Sequence, residues 1–309
     1  MAYPPRSCAQ AAGLVTAVVL LATAAGAQTG GSEGLSPTLA NIKRAHVVRL
    51  GYRESSPPFS FLDQANRPIG YSLELCEAIV DEIGVEVDDA NLKVEYVKVT
   101  SDDRIAAVVQ NKIDLECGST TANAERGRQV AFSPLIFVAG TKLMVPKAST
   151  VSGPADLKGK TVVVTKGTTN EQAMHAVDRK FALGLNIIAS PDHEQSYQML
   201  ADGKADAFAT DDILLYGLIA RHKAQDKFRV TGEYLSYDPY GIMFRKAEPQ
   251  LAAVVERTFR KLGSNRDLIP LYNKWFVSRL PTGEKLNVAI SPQLEEAFKV
   301  LNDTEGTSN

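Results

Sequence analysis

The chain has 309 residues, with 34 Lys and Arg against 36 Asp and Glu, a formal charge of −2. That balance gives no electrostatic basis for binding nucleic acid or an anionic membrane surface. Its length leaves room for about two domains once a leader is set aside.

A leader is the first predicted element. MAYPPRSCAQ carries Arg6 as its only formal side-chain charge, and the apolar run AAGLVTAVVLLATAA and the small-residue step Ala25-Gly26-Ala27 follow. This is the pattern of a cleavable signal peptide, residues 1–27, and the apolar run is short for a membrane span. No Cys follows the expected cut, so a lipid anchor is not expected. Loss of Arg6 takes the charge to −3. The expected location is the periplasm.

Past a polar, Gly-rich stretch, Ser36-Pro37 reads as the cap and first turn of a helix running to Arg44. HVVRLGY reads as a strand, and Ser55 to Phe61, with Pro57-Pro58, as a turn-rich segment. Between Tyr71 and Ile83, Leu73, Cys76, Ile79, Val80 and Ile83 recur at helical spacing. LKVEYVKV alternates as a strand does, and Ser101 is placed to cap a helix ending near Asn111. The strand Ile113–Glu116 then delivers ECGSTTANAER, with a short helix expected from about Asn123.

The grammar restarts after the apolar segment LIFVAGTKLMV. TVVVT, LNIIA and ADAFAT read as strands, each followed by polar residues and a helix; YGIMFR is one more strand. Helices are expected near Gln250–Leu262 and Asp267–Phe276, then a polar tail. Strands alternating with helices in two successive sets argue for an α/β protein with parallel sheets.

Two cysteines remain after export, Cys76 and Cys117. In an oxidising compartment they can form one disulfide or stay as buried thiols, and spacing alone does not decide. Cys76 lies on the apolar face of its helix and Cys117 ends a strand that such a helix could cover, which favours the bond. The four His lack metal-ligand spacing, so no metal or other cofactor is expected.

Ligands of open α/β sheets bind outside the carboxyl ends of the strands. The residues just past each predicted strand are Arg53, Glu54, Ser55 and Ser56, then Thr100, Ser101 and Arg104, then Ser119, Thr120, Thr121 and Arg126. In the second set they are Thr168 and Thr169, then Asp192 and His193, then Asp211 and Asp212. Arginine is suited to planar, bidentate recognition of carboxylate. Three guanidiniums suggest two anionic groups, and the aspartate suggests an ammonium. The implied ligand is an acidic amino acid.

GYRESSPPFSF, GYSLELCEAI, VTSDDRIAAVVQNKIDLECGSTTANAERGRQVAFS, DLKGKTVVVTKGTTNE, TDDILL and YGIMFRK carry a family resemblance over nearly all of the mature chain. It resembles the periplasmic glutamate/aspartate-binding proteins of ABC transporters, within the wider polar amino-acid-binding family. The resemblance implies a two-lobed periplasmic-binding-protein fold of type II, each lobe a mostly parallel sheet flanked by helices, with two crossover hinge strands. Lobe 1 would comprise residues 30–138 and 243–309, and lobe 2 residues 139–242. Closure over L-glutamate or L-aspartate, delivery to an inner-membrane permease and a monomeric state are implied with it.

Residue by residue, Arg126 would hold the α-carboxylate with Ser119 and Thr121, and Asp211 the α-ammonium. Arg53, Ser101, Arg104 and His193 would form the side-chain pocket, with Thr169 at a helix N-terminus. Two alternatives share the fold: an exported dehydratase or lyase, with Glu54, Glu171 or His193 as its acid or base, and a ligand sensor acting in trans. An arginine-rich pocket with an amine partner implies no reaction, so binding is the expected function.

Overall fold

The computed structural model describes residues 34–302, so the expected signal peptide lies outside the described residues. The first helix, α1 (Pro37–Ala45), leads into β1 (Val47–Tyr52). The segment expected as turns instead forms a small antiparallel sheet of β2 (Ser55–Ser56), β3 (Ser60–Leu62) and β4 (Pro68–Ile69). Phe59 and Phe61 explain the difference, because both are buried and draw this loop onto the core. Then come α2 (Tyr71–Val87), β5 (Lys93–Lys98), α3 (Arg104–Val109) and β6 (Leu115–Glu116). The periodic face of α2 is buried as its spacing requires: Leu73, Cys76, Ile79 and Ile83 are within 1% of full burial.

The helix expected from Asn123 is only a 3-10 turn, Arg126–Arg128, with the Arg126 N–H donating to Asn123 Oδ1. It is followed by β7 (Val130–Phe132). LIFVAGTKLMV breaks at Gly140 into β8 (Phe137–Ala139) and β9 (Thr141–Pro146), which lie in different sheets. Next are β10 (Thr161–Thr165), α4 (Thr169–Phe181), β11 (Asn186–Ser190), α5 (His193–Ala201), β12 (Ala207–Asp211) and α6 (Asp212–Arg221). The chain continues through β13 (Phe228–Thr231), β14 (Asp238–Tyr240) and β15 (Met243–Arg245). It closes with α7 (Pro249–Ser264), α8 (Leu268–Tyr272), a π-helical turn Asn273–Val277, and α9 (Pro292–Asn302). The polar tail thus contains a helix. Its Leu294 and Phe298, one turn apart, are buried, a two-residue stripe too sparse to stand out from its charged neighbours.

Two lobes result, each built on a five-stranded sheet. The first has the order β5-β1-β6-β15-β7 and the second β11-β10-β12-β9-β13. In each, three adjacent strands pair in parallel, and the fourth in the order (β15 or β9) runs against both of its neighbours. Parallel pairing needs helical crossovers, which is why both lobes are covered by helices. Between the sheets, β8 and β14 form a separate antiparallel pair, with Tyr240 opposite Phe137. Their rings are held by Phe59 and Phe276, at centroid distances of 4.9 to 5.4 Å for Phe59–Phe137, Phe59–Tyr240, Phe59–Phe276 and Phe137–Phe276. Each such aromatic contact contributes about 0.5–1.5 kcal/mol beyond burial. The strand pair is therefore anchored in the first lobe's core.

Cys76 of α2 and Cys117, at the end of β6, are joined by a disulfide with Cα atoms 6.2 Å apart. The bond spans 41 residues, and Ser72 Oγ also donates to Gly118 O at 2.7 Å. Helix α2 thereby holds the start of the ECGSTT loop covalently and by a hydrogen bond. Closing a loop of this length contributes about 2–4 kcal/mol in the chain-entropy account. Alkylation of the protein unfolded in denaturant without reduction should leave both cysteines unmodified, and Cys76→Ala should lower unfolding stability by about that amount. Two labelled cysteines would refute the pairing in the exported protein.

Candidate functional site

The carboxyl ends of the parallel strands in both lobes face one cleft. Ser101, Arg104, Ser119 and Thr121 line it from the first lobe; Thr168, Thr169, Asn170, His193, Asp211 and Leu214 line it from the second. The cavity is small, about 10 Å³, the size of a single water site. Larger grooves exist on the outside, such as that lined by Val80, Gly84, Val85 and Leu92. That groove holds no buried, unpartnered donor, whereas the cleft gathers several, which makes the cleft the candidate site.

Arg53 follows β1 and is 1% exposed, yet Nη1 and Nη2 have no hydrogen-bond partner among the described residues. Burial, and next the charge of Arg104, pull its pKa down to about 10, while Glu116 opposes them. Arg104, the first residue of α3, is 2% exposed; Nη1 donates to Ser119 O at 3.4 Å, and Nε is unpartnered. The Ser101 and Ser119 hydroxyls are also buried and unpartnered. Leaving such groups unpaired away from water is costly, so a pocket that gathers them is built for an acceptor-rich, anionic ligand.

Arg126 is better supported. Nη1 donates to Thr121 O at 3.0 Å, and Nη2 donates across the cleft to Gly167 O at 3.3 Å. Burial, then Arg104, bring its pKa to about 10, and Glu116 again opposes. Glu116 was not singled out from sequence, where it reads as a strand residue. It is fully buried, Oε2 accepts from Thr120 Oγ1 at 2.6 Å, and Oε1 is unpartnered. A Cβ on Gly118 would come within 2.3 Å of Glu116 Oε1 and 3.1 Å of Arg53 Cγ. Glycine there leaves room for the carboxylate and the Arg53 stem, which a Cβ would push aside. Asp102 and Asp103, next to Arg104, are both exposed, and Asp102 pairs with Lys166 across the cleft at 2.9 Å.

In the second lobe, Asp211 ends β12 with 3% exposure. Oδ1 accepts from Asn170 Nδ2 at 2.9 Å, and Oδ2 accepts from the Tyr240 hydroxyl. Burial first, then the charge of Asp238, raise its pKa to about 7. His193, the first residue of α5, is 2% exposed, and its Nδ1 meets Thr165 Oγ1 at 2.8 Å. Burial, then Arg53 and Arg104, hold its pKa well below the ordinary histidine range, so it is neutral. Thr169 opens α4, and its hydroxyl donates to Asp238 Oδ1 at 2.7 Å.

Of the nine residues that the resemblance assigns to the ligand, seven line this cavity; Arg53 and Arg126 lie buried beside it, Arg53 close enough to act on Arg104 and His193, and Arg126 bonded to Thr121 O and Gly167 O. Asn170 also lines the cavity, and Glu116, Asp238 and Tyr240 reach it through Thr120, Thr121 and Asp211; the sequence assigned none of these four to the ligand. Among the described residues no group of three or more His, Cys, Asp or Glu could hold a metal ion, and no helix is long and apolar enough to cross a membrane.

The sequence model of Bacterial extracellular solute-binding proteins, family 3, matches residues 48–278. The chain is 36% identical to the Glutamate/aspartate import solute-binding protein of Salmonella typhimurium, covering 94% of this chain and 97% of that protein. It is 39% identical to the L-glutamate/L-aspartate-binding protein of Pseudomonas aeruginosa, covering 88% and 91%. Among solved structures it is similar to an ancestral arginine-binding protein bound to arginine, with TM-score 0.68 and 29% identity over 75% of this chain and 98% of that one. The relatives are binding proteins and not enzymes. They also show that this fold carries acidic and basic amino acids alike, so the ligand must be argued from the pocket.

Proposed function

The chain belongs to the bacterial extracellular solute-binding proteins of family 3, and from that premise we propose that it captures an acidic amino acid, L-glutamate or L-aspartate, between its lobes. Captured ligand is delivered to the permease of an ABC importer. The observation that carries this reading is Arg53: a buried guanidinium with both terminal nitrogens unpartnered, next to a second buried arginine. A cationic or neutral side chain would leave Glu116 as the one buried carboxylate offsetting that pair and the Arg53 terminal nitrogens without an acceptor, whereas a distal carboxylate accepts from both. Arg126, Ser119 and the backbone N–H of Thr121, whose hydroxyl proton goes to Asp238, take the α-carboxylate, and Asp211 the α-ammonium. Arg53, Ser101, Arg104 and neutral His193 surround the distal carboxylate, with Thr169 contributing from the N-terminus of α4.

Within the described residues, lobe 1 comprises 34–138 with 243–302, and lobe 2 comprises 139–242. The paired strands β8 and β14 serve as the hinge, because they lie between the sheets and are the places where the chain passes from one to the other. The protein acts as a monomer in the periplasm after removal of residues 1–27. A thermal-shift screen of the twenty amino acids is expected to single out glutamate and aspartate, and solution scattering to show compaction when the hit is added. A screen led by a basic or neutral amino acid, or an unchanged radius at saturation, would overturn this reading.

A further inference from the structure

Asp238 sits on the crossing strand β14, is 1% exposed, and has no place in the ligand assignment above. Its Oδ1 accepts from two hydroxyls: Thr121 Oγ1 at 2.9 Å, from the first lobe, and Thr169 Oγ1 at 2.7 Å, from the second. The two hydroxyls are themselves 3.2 Å apart. Its Oδ2 accepts from Ser236, whose oxygen also meets Thr141 Oγ1 at 2.7 Å. Thr141 Oγ1 in turn accepts from Asn170, which donates to Asp211. A continuous hydrogen-bonded path therefore runs from the junction of the two lobes to the carboxylate assigned to the ammonium.

We propose that Asp238 is a closure clasp, a positioning residue whose single carboxylate oxygen gathers one hydroxyl from each lobe and so holds the cleft shut. The chemistry suits the task. A hydrogen bond to a carboxylate is worth more than one between neutral groups, and a buried carboxylate keeps its charge only while donors surround it. When the lobes part, Thr121 and Thr169 cannot both reach one oxygen. The carboxylate then loses a donor, and that loss opposes opening.

Two further contacts put the lobes in register at the same edge of the cleft. Lys166 pairs with Asp102 at 2.9 Å, and a Cβ on Gly167, whose φ is +74°, would lie 2.6 Å from Asp102 Cα. Backbones this close demand glycine on both counts. Asp238 differs from these contacts in being buried and in using the crossing strand itself as the third party. The clasp deepens the reading of the cleft as a ligand site, because a shut cleft is what retains a solute.

The test uses no ligand, so it separates the clasp from the identity of the solute. The full mature protein carries Asp102→Cys and Lys166→Cys, exposed positions facing each other across the cleft, in addition to its buried Cys76–Cys117 pair. The rate of cross-linking by a short bis-maleimide reports how often the cleft is shut. Asp238→Ala and Thr169→Val should each slow it by about tenfold or more, the worth of one hydrogen bond to a charged group. The double variant should be no slower than the slower single, because both act at one oxygen. Single-cysteine labelling by a mono-maleimide should be unchanged, which shows that the fold and accessibility are intact. Asp238→Asn, which keeps an acceptor oxygen, should recover part of the rate. Parental cross-linking in both single variants, or strictly additive losses in the double, overturns the clasp. If glutamate then fails to bind the wild type, the ligand reading falls without touching this result.

Discussion

Arg126→Ala and Asp211→Asn are each expected to weaken glutamate binding by about thirtyfold to several thousandfold. Each group faces an opposite charge on the ligand inside a cleft that excludes water. Truncating one partner of a buried, hydrogen-bonded charge pair costs roughly 2–5 kcal/mol, at about 1.4 kcal/mol per decade of affinity. Much of that is the penalty for leaving the ligand's own charge buried and unmatched. Arg126 has a second task, since it reaches Gly167 O in the opposite lobe, so its loss also weakens closure. Calorimetry on folded variants measures the effect. If both bind glutamate within threefold of wild type, these residues do not grip the α-amino acid core.

Asp211 adds a pH signature to the same experiment. Its carboxyl titrates near 7 in the shut cleft, against an ordinary value of 3.8. A carboxyl whose folded pKa is raised binds its proton more tightly in the native state, so this group's contribution to stability falls as pH rises from about 4 to 7. An α-ammonium beside it reverses the shift, and binding then expels the proton. Glutamate affinity should therefore rise with pH up to about 7, by no more than tenfold per unit, and level off above. In the ligand-free cleft His193 is neutral, because burial, Arg53 and Arg104 hold its pKa down. At pH 6, titrations in buffers of different ionisation enthalpy should reveal up to one proton released by wild type and none by Asp211→Asn. Equal proton release from the two proteins would remove Asp211 from the ammonium site.

Much of this arrangement could be read before any coordinates. TVVVT, LNIIA and ADAFAT are short apolar runs bounded by turn signals, and a parallel sheet sends the residue after each strand to the same edge. That is why Arg53, Arg104, Thr169, His193 and Asp211 could be named together from positions far apart in the chain. What stayed hidden depended on distant partners. Asp238 reads as one polar residue in an ordinary loop, and only folding brings Thr121, 117 residues earlier, to its carboxylate. Glu116 sits inside a strand, where no spacing marks a buried acid set beside arginines. Asn170 directly follows a residue that was picked, but its contact with Asp211 spans 41 residues. The expected helix after Asn123 failed for a local reason: Asn123 caps a single tight turn, which suffices to aim Arg126.

Selectivity for an acidic over a neutral side chain should reside in Arg53 and Arg104, with His193 contributing less. Arg126 and Asp211 serve every α-amino acid alike and cannot tell glutamate from glutamine. Discrimination must come from groups that a neutral side chain leaves unpaired, and the terminal nitrogens of Arg53 meet that condition directly, with Arg104 Nε beside them. Each charge-assisted hydrogen bond is worth about 1.5–3 kcal/mol, so Arg53→Met and Arg104→Met should lower glutamate affinity by roughly tenfold to a hundredfold. Glutamine affinity should change little, or improve, because methionine keeps the stem's packing while removing a buried unpaired cation. The glutamate-to-glutamine ratio should narrow in both arginine variants and much less in His193→Gln, where a neutral group replaces a neutral group. Glu116 sharpens the expectation: its charge already offsets part of the arginine cluster, so Glu116→Gln should move the ratio the other way, toward glutamate. A ratio unchanged in both arginine variants would place selectivity elsewhere and take away the physical basis for an acidic ligand.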